Sequence, residues 1–326
     1  MKDADDLNPA DLERKIRVAF GARSLGRWPT PLERAAGLAE RTGARELWVK
    51  REDRSSPVYG GNKVRALEFL FAGLAAGDAA FTVGGWGSTH CLATVRHARA
   101  LGAHAVVAQF PQGLSEGAVA TARATERAAT VCFRARTWAG FPAAWLRGWR
   151  AAGRLGRRLA IPGGGRAPVA ALGHALAVLE MATQLPSSPD AIVTPLGTGG
   201  TAAGILVGCG LLGWRTQVCA VRVAPRVVAG AGRVRRLARA ARELLRGRVP
   251  QAAVSGGPSL LVVDGIGRGY GWPTVEGEQA RGWAREAGLE VDSTYGGKTL
   301  ARVPGVVESG HARVVYWHTY AAPETG

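Results

Sequence analysis

Three glycine-rich turns hold the residues whose types and spacing could do chemistry. The first is Gly60-Gly61-Asn62-Lys63. Paired glycines adopt backbone conformations closed to other residues and let a ligand approach the chain closely. Lys63 then begins a helical stretch, and the positive end of the helix dipole disfavours an ammonium there. A neutral amine can form a Schiff base with an aldehyde cofactor. A plain surface lysine is the alternative, but lysine is scarce here. Of 42 Lys and Arg, only Lys2, Lys15, Lys50, Lys63 and Lys298 are lysine, leaving 37 arginines. A retained lysine is therefore a candidate for work that only an amine can do. The second turn, Gly197-Thr198-Gly199-Gly200-Thr201, lies between an apolar run and a helical one. It would offer backbone N–H groups and a helix N-terminus to an anion such as phosphate. It lacks the Gly-Lys-Ser/Thr ending of a P-loop and the full dinucleotide spacing. By itself it is also compatible with an ordinary strand-to-helix turn. The third, Gly84-Gly85-Trp86-Gly87-Ser88-Thr89-His90, offers hydroxyls and N–H groups suited to a substrate carboxylate, although Ser88 could equally be an N-cap.

These turns need rigid elements behind them, and the pattern supplies them. Short apolar runs at 46–50, 79–84, 105–109, 191–195, 218–223 and 314–317 read as strands. Helical stretches are expected at 63–76, 89–101, 170–183 and from Ala202. Strands of about five residues alternating with longer helices predict βαβ units and parallel sheets. At 326 residues two domains are expected, with a composition break near Arg158 to Gly165. A hydrophobic content of 47% and a charged content of 21% describe a folded globular chain rather than a disordered one. No run approaches the roughly 20 apolar residues of a membrane span. The acidic start, Met1-Lys2-Asp3-Ala4-Asp5-Asp6, is unlike a signal peptide, and a cytoplasmic protein is expected. Cys91, Cys132, Cys209 and Cys219 lie far apart, so neither a disulfide framework nor a metal site is expected.

The net charge of +17 raises the question of nucleic acid. Eight arginines lie between Arg226 and Arg248, and there Val234, Leu237, Ala241 and Leu244 form one apolar stripe of an amphipathic helix. No aromatic residue in that stretch could stack a base, and no nucleic-acid module is recognisable. The arginines read as a solvated helix surface, with no nucleic-acid partner.

Together the motifs carry a family resemblance. Asp53 to Phe69, with Gly60-Gly61-Asn62-Lys63-Val64-Arg65 inside it, resembles the cofactor-lysine segment of the D-cysteine desulfhydrase and 1-aminocyclopropane-1-carboxylate deaminase family of fold-type-II pyridoxal-phosphate enzymes. Further matches are Thr30-Pro31-Leu32, Ile161-Pro162-Gly163-Gly164-Gly165, Gly269-Tyr270-Gly271, Asp292 to Lys298, and His318-Thr319. The resemblance implies two open, twisted, mainly parallel α/β sheets flanked by helices, as in the tryptophan synthase β chain, with pyridoxal 5'-phosphate between the domains. The larger domain would comprise residues 1–65 and 161–326, and the smaller 66–160. Lys63 would be the Schiff-base lysine and acid/base. Gly197, Thr198, Gly199, Gly200 and Thr201 would hold the phosphate, with Asn62, Thr89 and Thr319 also on the cofactor and Thr319 at the pyridine nitrogen. Ser88, Thr89, His90 and Trp86 would face the substrate, with Ser88, Tyr270 and Tyr295 catalytic. A homodimer acting on a small amino acid is implied as well.

Departures bear on the reaction. The family turn is usually Gln-Ser-Asn-His, whereas here it is Gly87-Ser88-Thr89-His90. The deaminase branch has Glu where Gly296 stands and Leu where Thr319 stands, and the desulfhydrase branch continues the His-Thr motif with Gly-Gly rather than Tyr320-Ala321. A hydroxyl at position 319 makes the ring a weaker electron sink than a carboxylic acid would. The expectation is a lyase, by β-elimination or deamination to a 2-oxo acid and ammonia. β-Replacement, racemisation, and an inactive cofactor-retaining binding protein are the alternatives.

Overall fold

In the computed structural model, residues 8–113, 115–250, 252 and 257–322 are described. The first half contains α1 (Pro9–Ala19), β1 (Leu32–Arg34), α2 (Ala36–Thr42), β2 (Glu46–Arg51), α3 (Lys63–Leu70), β3 (Ala79–Gly85), α4 (Thr89–Ala100), β4 (His104–Phe110), α5 (Glu116–Ala128), β5 (Val131–Arg134), α6 (Phe141–Leu155) and β6 (Arg158–Ile161). The second contains α7 (Pro168–Gln184), β7 (Ala191–Leu196), α8 (Gly200–Leu211), β8 (Gln217–Arg222), α9 (Ala231–Arg248), β9 (Ser259–Asp264), α10 (Val275–Glu286), α11 (Gly296–Leu300), α12 (Val303–Glu308) and β10 (Arg313–His318).

Two sheets result. The larger runs β1-β2-β10-β7-β8-β9 and the smaller β5-β4-β3-β6. Every pairing is parallel except β1 with β2. Central strands such as β7 and helices such as α7 and α8 are buried almost throughout, so they read as near-continuous apolar runs, as expected of parallel sheets covered on both faces. The chain is thus mixed α/β with two mainly parallel sheets flanked by helices. The sequence-derived strands fall within a residue or so of β2, β3, β4, β7, β8 and β10.

The smaller sheet takes its strands from residues 79–161. The domain boundary drawn at 65/66 falls inside α3, however, and α3 packs along α7 of the larger half. A Cβ at Gly173 would lie 2.1 Å from the Arg65 carbonyl oxygen. In α9 the buried stripe is Val234, Leu237, Ala238, Ala241 and Leu245, while Leu244 is 38% exposed. Steps of four from Val234 and Ala241 turn Ala238 and Leu245 inward, so the expected stripe was one residue out at its end. Arg235, Arg236, Arg239 and Arg246 project into solvent, while Arg248 packs over the Phe20 ring and donates to the Ala19 carbonyl at 3.2 Å. Among the described residues no helix is long and apolar enough to cross a membrane.

A buried charge network ties α3 to its neighbours. Arg65 is 1% exposed; its Nε donates to Glu52 at 2.5 Å and its terminal nitrogens to Glu180 at 2.8 Å. Lys50, fully buried, donates to Glu180 at 3.2 Å, to Gln184 at 2.9 Å and to the Thr30 carbonyl at 2.9 Å. Burial alone would raise the Glu180 pKa, but Arg65 and then Lys50 bring it down to about 2. Glu180 therefore contributes stability that is fully present above its ordinary value of 4.5 and is lost as pH falls towards 2. Glu180→Gln should lower stability at pH 7 by about 3–5 kcal/mol, since it leaves buried cations without their partner. It should also flatten the acid limb of stability against pH. Urea unfolding between pH 3 and 7 checks both.

Candidate active site

All the chemistry-bearing turns lie beyond the carboxyl ends of parallel strands, where open α/β sheets place their ligand crevices. β2 leads through 52–62 to Lys63, β3 to Ser88, β7 to Gly197 and β10 to Thr319. They converge on one cavity of about 500 Å³ with walls from both sheets' segments, within the usual range for a cofactor or substrate pocket.

Lys63 opens α3. A Cβ at Gly60 would stand 1.8 Å from the Asp53 carbonyl oxygen, so the turn before the lysine closes only with glycine. The Lys63 amine meets the Gly164 carbonyl at 3.4 Å, and burial pushes its pKa from 10.5 to about 8. Next to it, Asn62 Nδ2 donates to Thr201 Oγ1 at 2.8 Å, linking the lysine turn to the start of α8. The second turn is bare backbone at that helix end: Gly199 takes φ +90° as its N-cap, and Gly200 opens α8. Gly164 (φ +68°) packs against it, and a Cβ there would meet the Thr198 side chain at 2.7 Å. Glycine on both sides leaves an open cradle at a helix N-terminus, suited to a phosphate.

Ser88 is the N-cap of α4, accepting from Cys91 N–H at 3.4 Å, and lines the cavity with Thr89 and His90. The Thr82 hydroxyl donates to the Ile161 carbonyl at 3.0 Å, so it accepts from His90 Nε2 at 2.9 Å. The buried Nδ1 has no partner, and burial lowers the imidazole pKa to about 3. His90 is therefore a neutral wall group. Tyr270 and Tyr295 share a short hydroxyl–hydroxyl hydrogen bond, with rings edge to face at 6.0 Å. Burial raises both phenols' pKa, that of Tyr295 well above 10. Thr319 lies in the wall beside Lys63, its carbonyl accepting from Asn62 N–H at 3.2 Å.

Trp86, expected on the substrate side, is placed differently. Its N–H continues the β3–β4 ladder to the Phe110 carbonyl at 3.0 Å, and its ring lies under the Arg134 guanidinium at 5.4 Å, outside the cavity wall. Lys298, the other lysine in a candidate motif, donates to the Ile266 and Gly269 carbonyls and holds the loop leading to Tyr270. Sequence reasoning missed Asp292, Phe110 and Trp138 as wall residues. Asp292 accepts from Thr294, Tyr295 and Gly296 N–H at 2.8–3.0 Å and so sets the Tyr295 backbone; burial raises its carboxyl pKa. An Asp just before a short helix is a capping signal that could have shown this role. The aromatic walls left no local signal, because Phe110 and Trp138 are 28 residues apart and meet only through the fold.

These residues fit pyridoxal 5'-phosphate: a buried amine whose pKa is lowered to about 8, a glycine cradle for the phosphate, a hydroxyl at Thr319, and hydroxyls with N–H groups at the start of α4. Comparison with known proteins agrees. Residues 23–319 match the family described as pyridoxal-phosphate dependent enzyme. Nocardicin C-9' epimerase of Nocardia uniformis subsp. tsuyamanensis is 35% identical over 322 residues, covering 91% of this chain and 92% of that one. D-cysteine desulfhydrase of Serratia proteamaculans (strain 568) is 30% identical over 330 residues, covering 96% and 97%. The crystal structure of an ACC deaminase homologue superposes with a TM-score of 0.79 at 27% identity, covering 94% of each chain. The chain belongs to the fold-type-II family of pyridoxal-phosphate dependent enzymes.

Proposed function

We propose that the protein inverts the α-carbon of an amino acid, as an epimerase or racemase. What carries this reading is that one cavity holds a buried amine whose pKa is brought down to about 8 and, from a different segment of the chain, a pair of protonated phenols. Bound pyridoxal phosphate supplies an aldehyde that joins the substrate amino group and a ring that accepts the electron pair left by the α-proton. Lys63 and the cradle at Gly197 to Thr201 would hold it. The Ser88 and Thr89 hydroxyls and the N–H groups at the start of α4 would orient the substrate carboxylate.

Lys63, poised near neutral pH, then accepts the α-proton. Tyr295, kept protonated by burial and hydrogen-bonded to Tyr270, returns a proton to the carbon from its own side. Water restores the phenol and takes the proton from the lysine ammonium, so no atom is gained or lost. The full-length likeness to an epimerase supports this reading. Thr319 favours a second one: a hydroxyl cannot protonate the ring nitrogen as an acid would, which suits prompt loss of a β-leaving group, giving a 2-oxo acid and ammonia.

In D2O, product of inverted configuration should carry one deuterium at the α-carbon, read by chiral chromatography with mass spectrometry. Release of 2-oxo acid without inversion decides for the lyase. Tyr295→Phe should lower the inversion rate by about 100-fold or more while α-proton exchange through Lys63 persists with retention. Lys63→Ala should abolish both, along with the yellow colour of the loaded protein. Because burial favours the neutral amine, cofactor-free protein should take up pyridoxal phosphate faster as pH rises through about 8, levelling above it. The unfolded chain binds more protons than the folded one between about 8 and 10.5, so Lys63 also adds stability as pH rises across that window.

A further inference from the structure

The cavity mouth carries an aromatic surface that neither the lysine chemistry nor the phosphate cradle uses. Phe110 ends β4, and Trp138 lies over it with ring centroids 4.7 Å apart and planes 23° from parallel. Phe141 braces Phe110 edge-on at 5.4 Å. Although held by this stack, Trp138 is 63% exposed, and both it and Phe110 line the cavity. Pro225 and the 39% exposed Val228 line it as well, from the larger sheet's side.

The charge lining is as informative. Among the described wall residues Lys63 is the only lysine or arginine, in a chain with 37 arginines. A substrate carboxylate is left to the Ser88–Thr89 turn, and the outer wall offers a side chain mainly apolar contact. The β3–β4 register brings these two regions together: Gly85, three residues before Ser88, pairs directly with Phe110. A substrate anchored by its carboxylate at the start of α4 therefore has its side chain within reach of the Phe110–Trp138 surface. A flat ring can cover an indole face through offset stacking, whereas a methyl or thiol group cannot.

We infer that Trp138 and Phe110 select substrates whose side chain carries an aryl group, against alanine- or cysteine-sized ones. This rests on the reading of the site as one for amino acids. The test compares D- and L-phenylalanine and phenylglycine with D- and L-alanine and D-cysteine. Calorimetry gives Kd on loaded protein, and saturation-transfer NMR of the aryl protons is run on cofactor-free protein. Wild type should prefer the aryl ligands, and Trp138→Ala should reduce the aryl-to-alanine Kd preference by about tenfold. Trp138→Phe should retain most of it. Trp145→Ala, on α6, where the ring stacks on Trp149 against the smaller sheet and away from the cavity wall, serves as control and should leave the ratio intact. Phe110→Leu, which keeps an apolar group, should also lower the ratio and reads the same surface if Trp138→Ala does not fold.

An unchanged ratio in both variants, or a wild type that binds alanine as tightly as phenylalanine, overturns the inference. So does a Trp138→Ala variant altered only in its oligomeric mass, which would make the indole a subunit contact. Aryl saturation transfer without turnover would instead count against the proposed reaction and leave the aryl surface standing.

Discussion

The position of Lys63 depends on a buried set of charges that never touches the cavity. Arg65 lies two residues after Lys63 in the same helix. Its guanidinium is held between Glu52 and Glu180, with the Trp28 ring 3.9 Å away. Glu52 follows β2 and Glu180 is in α7, so one side chain fixes α3 against both a strand end and the longest apolar helix of the core. A solvated ion pair would allow α3 to shift, since its partners could exchange for water at little cost. A desolvated one cannot, because every alternative position leaves a charge unpaired in a medium of low polarity. Glu68, one turn further on, adds a second clamp through Arg17, Leu25 N–H and Trp28 Nε1. Lys63 therefore projects from a rigid base, and its own burial lowers its pKa to about 8.

The same economy runs through the rest of the site. Each wall begins where a parallel strand ends, so strand register sets the distances between groups far apart in sequence. His318 pairs with Arg51 at the end of β2, which brings Thr319 to the lysine turn, and the Asn62–Thr201 hydrogen bond then joins that turn to the glycine turn that opens α8. Glycine supplies close approach where backbone must meet backbone. The polar groups left over in the wall, His90 and the two phenols, are held neutral by burial. That suits proton transfer better than charge pairing.

Much of this was legible along the chain because the signals are local. A glycine pair before a rare lysine, a glycine-threonine turn between apolar runs, and strands alternating with helices all involve neighbours in sequence. β5, β6, α6 and β9 were not legible: β5 and β6 have only four residues each, the short apolar run of β9 lies half exposed at the sheet edge, and α6 is broken up by arginine and tryptophan. Trp86 was misread because adjacency to Ser88 suggested a shared direction. The ladder bond to Phe110 and the glycine that follows turn the two side chains apart.

Alone, the sequence determined the family and the cofactor, since these depend on residue types within short segments. Tertiary structure decided which of the five lysines serve the scaffold: Lys50 neutralises Glu180 and Lys298 ties down the loop before Tyr270. It also decided that the two phenols are hydrogen-bonded to each other, that Asp292 sets the Tyr295 backbone, and that Trp138 covers Phe110 at the mouth. Each of these is a contact between segments distant in sequence. Their energies come from burial and geometry, which exist only once the two sheets have packed around the cavity.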